Sequence, residues 1–169
     1  DDSDAMQWVN CRGNVINDDT NCNFVFIGKI SQNEFARQYN HVTTLFNKRK
    51  LENNLRENVL PSFSCLMLID IDNFSEINIQ HGRSFGDDIL KDFAGKLEEM
   101  FDMWQIYHTE IDRFAVLLDI SSRKEAKELF DQIKHFSEYF TLSGSIVPND
   151  NLLYSSFENI YDYAVDLIS

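Results

Sequence analysis

Two spacings of apolar residues run along the chain, and each predicts a different kind of element. A continuous apolar run that ends on acids, SCLMLIDID (64–72), indicates a central strand buried on both faces. Apolar residues at helical spacing predict amphipathic helices at residues 47–60, 84–101, 121–136 and 152–168. Shorter apolar runs predict strands at residues 104–110, 113–120 and 139–147, the first two joined by a tight turn. The resulting order, α-β-α-β-β-α-β-α, favours an α+β sandwich in which helices cover a largely antiparallel sheet.

Three of the predicted helices carry clear boundary or packing signals. The first has an apolar stripe of Leu51, Leu55 and Val59 and is ended by Pro61. The second has an inward face made of Phe85, Ile89, Phe93, Leu97 and Phe101. The third begins at a capping serine, Ser121 or Ser122, and buries Ala126, Leu129 and Ile133.

The first 46 residues have a different pattern. MQWVNCRG (6–13) and NFVFIGKI (23–30) predict two strands, separated by the turn-rich segment NVINDDTN. Because two strands alone are marginally stable, we expect them to be the edge of a sheet domain that lies upstream. Residues 31–46, SQNEFARQYNHVTTLF, predict a helical connector to the part of the chain that follows.

Composition and charge limit the classes of partner. The chain has 169 residues, enough for one domain and a fragment of a second, and its hydrophobic share of 43% is that of a folded protein. Its net charge of −13 excludes a general electrostatic attraction to nucleic acid or to an anionic membrane surface. No apolar run approaches the roughly 20 residues that span a bilayer. The three cysteines lack metal-ligand spacing, and Cys65 lies in an apolar run, so we expect free thiols in a reducing cytoplasm.

Candidate chemistry begins where the central strand ends. A carboxylate there, at Asp70, together with a backbone carbonyl suits a hard cation such as Mg²⁺, although strands also end in Asp because Asp favours turns. Asn78 follows eight residues later, and Asp87 lies in the first turn of the next helix. Amide and carboxylate groups suit the ring edge of a purine, but each residue is equally compatible with a turn or a helix N-terminus.

Together these residues carry a family resemblance. DIDNFSEINIQHGRSFGDDIL (70–90) resembles the GGDEF domain, the fold of bacterial diguanylate cyclases, which join two GTP molecules into cyclic di-GMP. NHVTTLFNKRKL (40–51) resembles the family's opening motif, DxLTGLxNRRxF, with Asn40 in place of the leading Asp and Thr44 in place of the Gly. The likeness runs from about Asn40 to Ser169. It implies a nucleotidyl-cyclase or ferredoxin-like central sheet, mostly antiparallel and flanked by helices.

The segment upstream, residues 8–31, resembles the last strands of a PAS sensor domain, which commonly precedes a GGDEF domain. We therefore expect three parts: PAS-like C-terminal strands over 1–30, the connector helix over 31–46 and a degenerate GGDEF domain over 47–169.

The resemblance implies a role for each matching position. Asp70 corresponds to a Mg²⁺ ligand, with the Ile71 carbonyl beside it. Asn78 and Asp87 correspond to the residues that bind the guanine. Arg83 stands where the family often has His and can contact phosphate. Asp112 falls on the acidic position that binds metal and supports catalysis in active members.

The signature loop departs from the family at the other positions. Where the family has Gly-Gly-Asp/Glu-Glu-Phe, this chain has Glu110, Ile111, Asp112, Arg113 and Phe114. Glu110 and Ile111 add bulk and charge where a backbone approaches the nucleotide, and Ile fits poorly wherever φ is positive. Arg113 replaces an acid of the family, so a possible metal ligand is removed. Its guanidinium can instead form an ion pair with Asp70 or Asp112 and so take the place of the metal.

Other phosphate contacts of the family are missing as well. Ser75 stands where a Lys is usual, and no Lys or Arg follows Lys134. The product-inhibition motif RxxD is replaced by residues 101–104, FDMW.

Three functions remain open from the sequence. We favour a GGDEF domain with impaired catalysis that passes on a PAS signal or binds GTP, and so regulates an output domain such as an EAL phosphodiesterase. The alternative is a weak diguanylate cyclase that uses Asp70 and Asp112 with Mg²⁺ in a dimer. The third is a structural module that binds no nucleotide. A cytoplasmic location and homodimer formation are both in keeping with the resemblance.

Overall fold

The computed structural model describes residues 10–18, 23–31, 37–56, 63–120, 122–137, 139–149 and 157–168. The chain divides into two compact units, Asp1–Gln38 and Tyr39–Ser169.

The first unit contains one antiparallel hairpin. Strand β1 (Asn10–Asp18) pairs with β2 (Asn23–Ser31) from Asn10↔Ser31 through Asp18↔Asn23. Both predicted strands are present, and β1 extends through residues 14–18, which were predicted to form a turn. Residues 6–9 of the first predicted strand lie outside the described range. The cross-strand pairing of those residues with the apolar stretch of β2 outweighs their local preference for a turn.

The second unit is built on a five-stranded mixed sheet. Its strands are β3 (Phe46–Asn47), β4 (Cys65–Ile71), β5 (Ile106–His108), β6 (Arg113–Leu118) and β7 (Leu142–Pro148). They lie in the order β3-β5-β6-β4-β7, and β3 is parallel to β5 while the other neighbours are antiparallel. The mostly antiparallel sheet predicted from the sequence is confirmed, with β4 in its interior.

Five helices flank this sheet in the described part of the unit. They are α1 (Lys48–Arg56), α2 (Phe74–His81), α3 (Arg83–Met100), α4 (Arg123–Ile133) and α5 (Phe157–Asp166). Ser122 caps α4, because its side chain accepts a hydrogen bond from the Glu125 amide. Helix α2 was not predicted, since it has only eight residues and buries one of them, Phe74. Phe85, predicted to face inward, is 36% exposed at the start of α3. Val59 and Pro61 lie outside the described residues.

The sheet buries an apolar face on each side. Alternate residues of β4 and β6, among them Met67, Ile69, Phe114 and Val116, pack against α3 and α4. The residues between them, including Leu66, Leu68, Ala115 and Leu117, pack against α1 and α5. Because side chains alternate along a strand, this phase places Asp70 and Arg113 on the α1/α5 face, at the ends of β4 and β6.

The opening segment of the second unit is a turn instead of a helix. The predicted connector helix over 31–46 does not extend through residues 39–46, and residues 32–36 of it lie outside the described range. The Asn40 side chain accepts hydrogen bonds from the amides of Val42 and Thr43, at 2.8 and 3.2 Å, which closes the turn as an Asp would. Thr44 follows with φ of 60°, the left-handed region that glycine occupies most easily.

His108 joins this opening segment to the sheet. Its Nδ1 lies 3.0 Å from Thr43 Oγ1, its Nε2 lies 3.2 Å from the Ile111 carbonyl, and its ring stacks on Phe114 at 4.4 Å. Burial lowers the pKa of His108 to about 4, so the ring is neutral at physiological pH. The role of this histidine is therefore structural, since it links the opening turn to the β5–β6 hairpin.

Cys65 is a buried free thiol, as predicted, and burial raises its pKa to about 11. The side chains of Cys11 and Cys22 lie outside the described part. None of the described helices combines the length and apolar character that crossing a bilayer requires.

Replacing Thr44 with glycine should raise the free energy of unfolding by about 0.5–1 kcal/mol. The left-handed conformation costs a β-branched residue about 1–2 kcal/mol, and the extra freedom of glycine in the unfolded chain offsets part of that gain. Urea unfolding of the 169-residue chain measures the difference. The neighbouring Thr43→Gly serves as a control and should be destabilising, because it loses the hydrogen bond to His108. A loss of stability in Thr44→Gly would show that the turn is not strained.

The free energy of unfolding should also fall at acidic pH, because His108 is buried as a neutral ring. His108 takes up a proton near pH 4 in the folded state and near pH 6.5 in the unfolded chain. The contribution of the neutral ring to the free energy of unfolding is therefore complete above pH 6.5 and is lost as the pH falls toward 4. The expected loss is about 2 kcal/mol between pH 7.5 and pH 5, measured by urea unfolding. His108→Phe should remove this part of the pH dependence, whereas His135→Gln, at an exposed position, should leave it in place. If the free energy of unfolding fell equally with pH in His108→Phe and in the unaltered chain, the attribution to His108 would be contradicted.

Candidate functional site

The candidate site is a cleft of about 410 Å³ at the end of the central strand. It lies where β4 leads into α2 and meets the β5–β6 hairpin. The residues that line it are Asp70, Ile71, Asp72, Asn73, Phe74, Ser75, Asp112, Arg113, Ser143 and Ile168. The three residues assigned to a metal from the sequence, Asp70, Ile71 and Asp112, are therefore brought together.

Arg113 and Asp70 form an ion pair across the sheet. They are direct cross-strand partners of β6 and β4, and the Arg113 Nε and one terminal nitrogen lie 3.1 and 2.7 Å from Asp70 Oδ2. The other terminal nitrogen lies 2.8 Å from Glu110 Oε2, so the guanidinium stands between two carboxylates. Burial acts to lower the pKa of Arg113, but the hydrogen bond and charge of Asp70 outweigh it and raise that pKa. Of the two acids considered from the sequence, Arg113 pairs with Asp70.

Glu110 is held from the opposite side by two helices. Lys48, at the start of α1, lies 3.4 Å from Glu110 Oε1, and the Tyr161 hydroxyl of α5 lies 3.2 Å from the same oxygen. The Lys48 ammonium also lies 4.1 Å from the centre of the Tyr161 ring, and the Tyr161 hydroxyl donates to Thr109 Oγ1 at 2.9 Å. Burial raises the pKa of Tyr161 to about 12, which keeps its hydroxyl protonated as a donor. The side chain of Glu110 is thereby directed toward α1 and α5.

Asp112 is half-buried beside this network. Burial raises the pKa of its carboxyl above the ordinary value, and the charge of Asp70 raises it further. Its backbone carbonyl accepts a hydrogen bond from the Ile71 amide at 3.1 Å, which ties the hairpin to the end of β4. The position can therefore contribute a carboxylate to the cleft, next to a second carboxylate that is already paired.

The backbone of the hairpin does not use the left-handed region. Among the described non-glycine residues, only Thr44 and Asn73 have positive φ. Ile111 therefore does not need the positive φ that a β-branched residue fits poorly, because the turn is closed in another way. The amides of Thr109 and Glu110 both donate to the Arg113 carbonyl, at 2.9 and 3.3 Å. The Ile111 side chain is 77% exposed, so bulk at this position stands on the solvent side of the loop.

Asp72 lies on the far wall of the cleft and is satisfied by β7. Its two carboxylate oxygens accept hydrogen bonds from the hydroxyls of Thr141 and Ser143, at 2.5 and 2.7 Å. Its amide donates to the Thr141 carbonyl at 3.0 Å. This arrangement fixes the turn between β4 and α2.

The residues assigned to guanine lie on α2 and α3, outside the lining of this cleft. Asn78 is half-buried against Gly86, where an added Cβ would stand 2.0 Å from Asn78 Oδ1. Gly86 is thus required for the two helices to approach, and it brings Asp87, also half-buried, next to the contact. Arg83 is exposed at the start of α3, after Gly82 with its φ of 90°.

The described arrangement does not suit a divalent cation at Asp70. Mg²⁺ prefers six oxygen ligands in a regular octahedron, whereas Asp70 Oδ2 already accepts two bonds from a guanidinium. No group of three or more His, Cys, Asp or Glu side chains among the described residues is placed to hold a metal. The cation that Asp70 contacts in this structure is the guanidinium of Arg113.

Three participants in the network were not predicted from the sequence. They are Lys48, Thr109 and Tyr161. Tyr161 lies on the buried stripe of α5 with Ile160 and Ala164, which was a signal for burial but not for contact with the hairpin. The contacts join residues 51 to 62 positions apart, so only the tertiary fold reveals them.

Comparison with known proteins agrees with this fold. The family model described as "Diguanylate cyclase, GGDEF domain" matches residues 37–149. YhcK of Bacillus subtilis (strain 168), described as an uncharacterized protein, is 28% identical over an alignment of 132 residues, and the match covers 71% of this chain and 34% of that protein. The chain therefore spans about a third of the length of this curated relative.

Two solved structures show the same fold. The GGDEF domain of DgcB from Caulobacter crescentus, in complex with c-di-GMP, has a TM-score of 0.65 at 15% identity, over 78% of this chain and 85% of that one. A sensory box/GGDEF family protein from Caulobacter crescentus CB15 has a TM-score of 0.64 at 19% identity, over 78% and 95%. Since the family model covers more than half of the chain and the motifs at residues 40–51 and 70–90 lie within it, the chain belongs to the GGDEF domain family of cyclic di-GMP signalling.

Proposed function

We propose that this chain is a catalytically impaired GGDEF domain that regulates a cyclic di-GMP signalling protein. It would pass on a signal from an upstream PAS-like unit or bind GTP as an effector, and so control a downstream output domain such as an EAL phosphodiesterase. The observation that carries the proposal is the ion pair between Arg113 and Asp70, at the position where active members hold a metal.

The charges of the cleft support this proposal. Its charged lining consists of Asp70, Asp72, Asp112 and one cation, Arg113, which is already paired. A phosphate about 5 Å from an uncompensated carboxylate is disfavoured by roughly 3 kcal/mol per unit charge at an effective dielectric near 20. The family's usual Lys at position 75 is a serine here, so no residue of α2 restores the balance. A triphosphate would meet repulsion where an active domain offers cations.

Binding of the guanine end is compatible with the same structure. Asn78 and Asp87 are kept, and the Asn78–Gly86 contact holds the two helices close together. Both side chains are half-buried and lie outside the electronegative cleft. A domain with a preserved guanine side and an obstructed phosphate side suits a binding or relay role better than catalysis.

A weak diguanylate cyclase is the alternative, and one observation favours it. Asp112 keeps the acidic position of the signature loop, and it lines the same cleft as Asp70. In that case Asp70 and Asp112 would act with Mg²⁺, after the Arg113 side chain had moved away, and activity would rise with the dimer population.

Assays of GTP turnover should separate the two functions. At high protein concentration with Mg²⁺ or Mn²⁺, the chain should form no more cyclic di-GMP than the Asp70→Ala/Asp112→Ala double variant, because the phosphate side is obstructed. An active diguanylate cyclase measured in parallel verifies the assay. Turnover that the double variant abolishes would establish the weak cyclase instead.

Isothermal titration with GTP should show saturable binding that depends on Asp87. Losing a charged hydrogen-bond acceptor typically costs about 1.5–3 kcal/mol, so Asp87→Ala should weaken the affinity at least about tenfold. Asp88→Ala is the matched control, since Asp88 is exposed and lies 3.6 Å from Lys91 on the same helix. Absence of a saturable signal in the unaltered chain would favour the structural module without nucleotide.

A further inference from the structure

The hairpin of this domain contains its own cation, fixed from two sides. Three nitrogens of the Arg113 guanidinium are engaged, two by Asp70 Oδ2 and one by Glu110 Oε2, at distances of 2.7 to 3.1 Å. The side chains of Arg113 and Asp70 are only 16% and 18% exposed. Charge-assisted bonds of this length in a partly buried setting are stronger than those of an exposed ion pair.

The sheet register places the guanidinium at the acid. Because Asp70 and Arg113 are cross-strand partners on one face, their Cβ atoms are about 4.5–5.5 Å apart whenever β4 and β6 are paired. Glu110 in turn is held by Lys48 and Tyr161, so the outer side of the guanidinium has a fixed partner too. Moving Arg113 away would break both of its pairs, leaving Asp70 without its cation and Glu110 with Lys48 alone.

A divalent cation would compete with the guanidinium for Asp70 Oδ2, the oxygen that accepts both of its hydrogen bonds to Asp70. A guanidinium offers donors only and repels a second cation, and Mg²⁺ requires oxygen ligands on all sides. The two are therefore alternatives at Asp70 Oδ2, and the guanidinium has the advantage of being covalently attached to the chain, at a position fixed by the strand register.

We propose that the guanidinium of Arg113 replaces the divalent cation of this GGDEF domain, so that neither the fold nor the cleft takes up Mg²⁺ at millimolar concentration. The inference deepens the proposed function, since it concerns the same site. The two can fail separately: a chain that binds Mg²⁺ can still lack cyclase activity, because Glu110 and Ile111 remain in the loop.

Paramagnetic broadening in the unaltered chain tests this directly. Mn²⁺ is added at up to a few millimolar to the isotopically labelled chain, and amide signals are followed by NMR. The expected result is no selective broadening of the amides of Asp70, Ile71 and Asp112 relative to exposed acids such as Asp88. Selective, saturable broadening of these three amides that Mg²⁺ competes away would overturn the proposal.

A variant supplies the complementary result. Arg113→Met, which keeps much of the length without the charge, should melt at a lower temperature in EDTA and gain about 3 °C or more in Mg²⁺. The unaltered chain and the matched control Arg123→Met, at an exposed position, should show no such gain. A variant without a Mg²⁺ response, or an equal response in the unaltered chain, would contradict the replacement. Should Arg113→Met fail to fold, the Mn²⁺ experiment on the unaltered chain decides alone.

Discussion

The ion pair between Asp70 and Arg113 is the interaction on which the chemistry of this domain depends. It lies at the end of the central pair of strands, where register makes the two side chains neighbours and burial strengthens their attraction. Breaking such a pair by removing one partner usually costs far more than an exposed ion pair contributes, because the remaining charge is left uncompensated. The network continues through Glu110 to Lys48 and Tyr161, so the signature hairpin is tied to α1 and α5 by charge and hydrogen bonds.

This arrangement explains how one fold can keep its form while its site changes. The two apolar faces of the sheet do not involve the hairpin tip, so substitutions there leave the core intact. Glu110 brings an acid that Arg113 and Lys48 neutralise, and Arg113 brings a cation that Asp70 accepts. The two substituted side chains also pair with each other, at 2.8 Å, so the charges that they bring are compensated in the folded chain. The opening turn shows the same tolerance, since Asn40 supplies the acceptor that an Asp would, and Thr44 adopts the conformation of a glycine.

Much of the fold follows from the sequence because its signals are local. The run SCLMLIDID predicts a buried strand, which the structure has as β4. The apolar run from Phe114 to Leu118 predicts strand β6, and so places the signature hairpin just before it. The short helix α2 was missed because one buried residue in eight gives no periodic signal. The turn at residues 39–46 was missed because Asn40 and Thr44 act through backbone conformation, which a hydropathy pattern does not reveal. The choice of Asp70 over Asp112 as partner for Arg113 depends on strand register, which the pattern does not reveal.

A crystal structure of the chain with Mg²⁺ and a non-hydrolysable GTP analogue tests the central claim most directly. The account predicts that Arg113 still contacts Asp70 Oδ2 through two nitrogens, with no divalent ion between Asp70 and Asp112, whether or not the guanine is seated near Asn78 and Asp87. A divalent ion coordinated by Asp70 and Asp112, with the guanidinium displaced and a triphosphate against the hairpin, would contradict it.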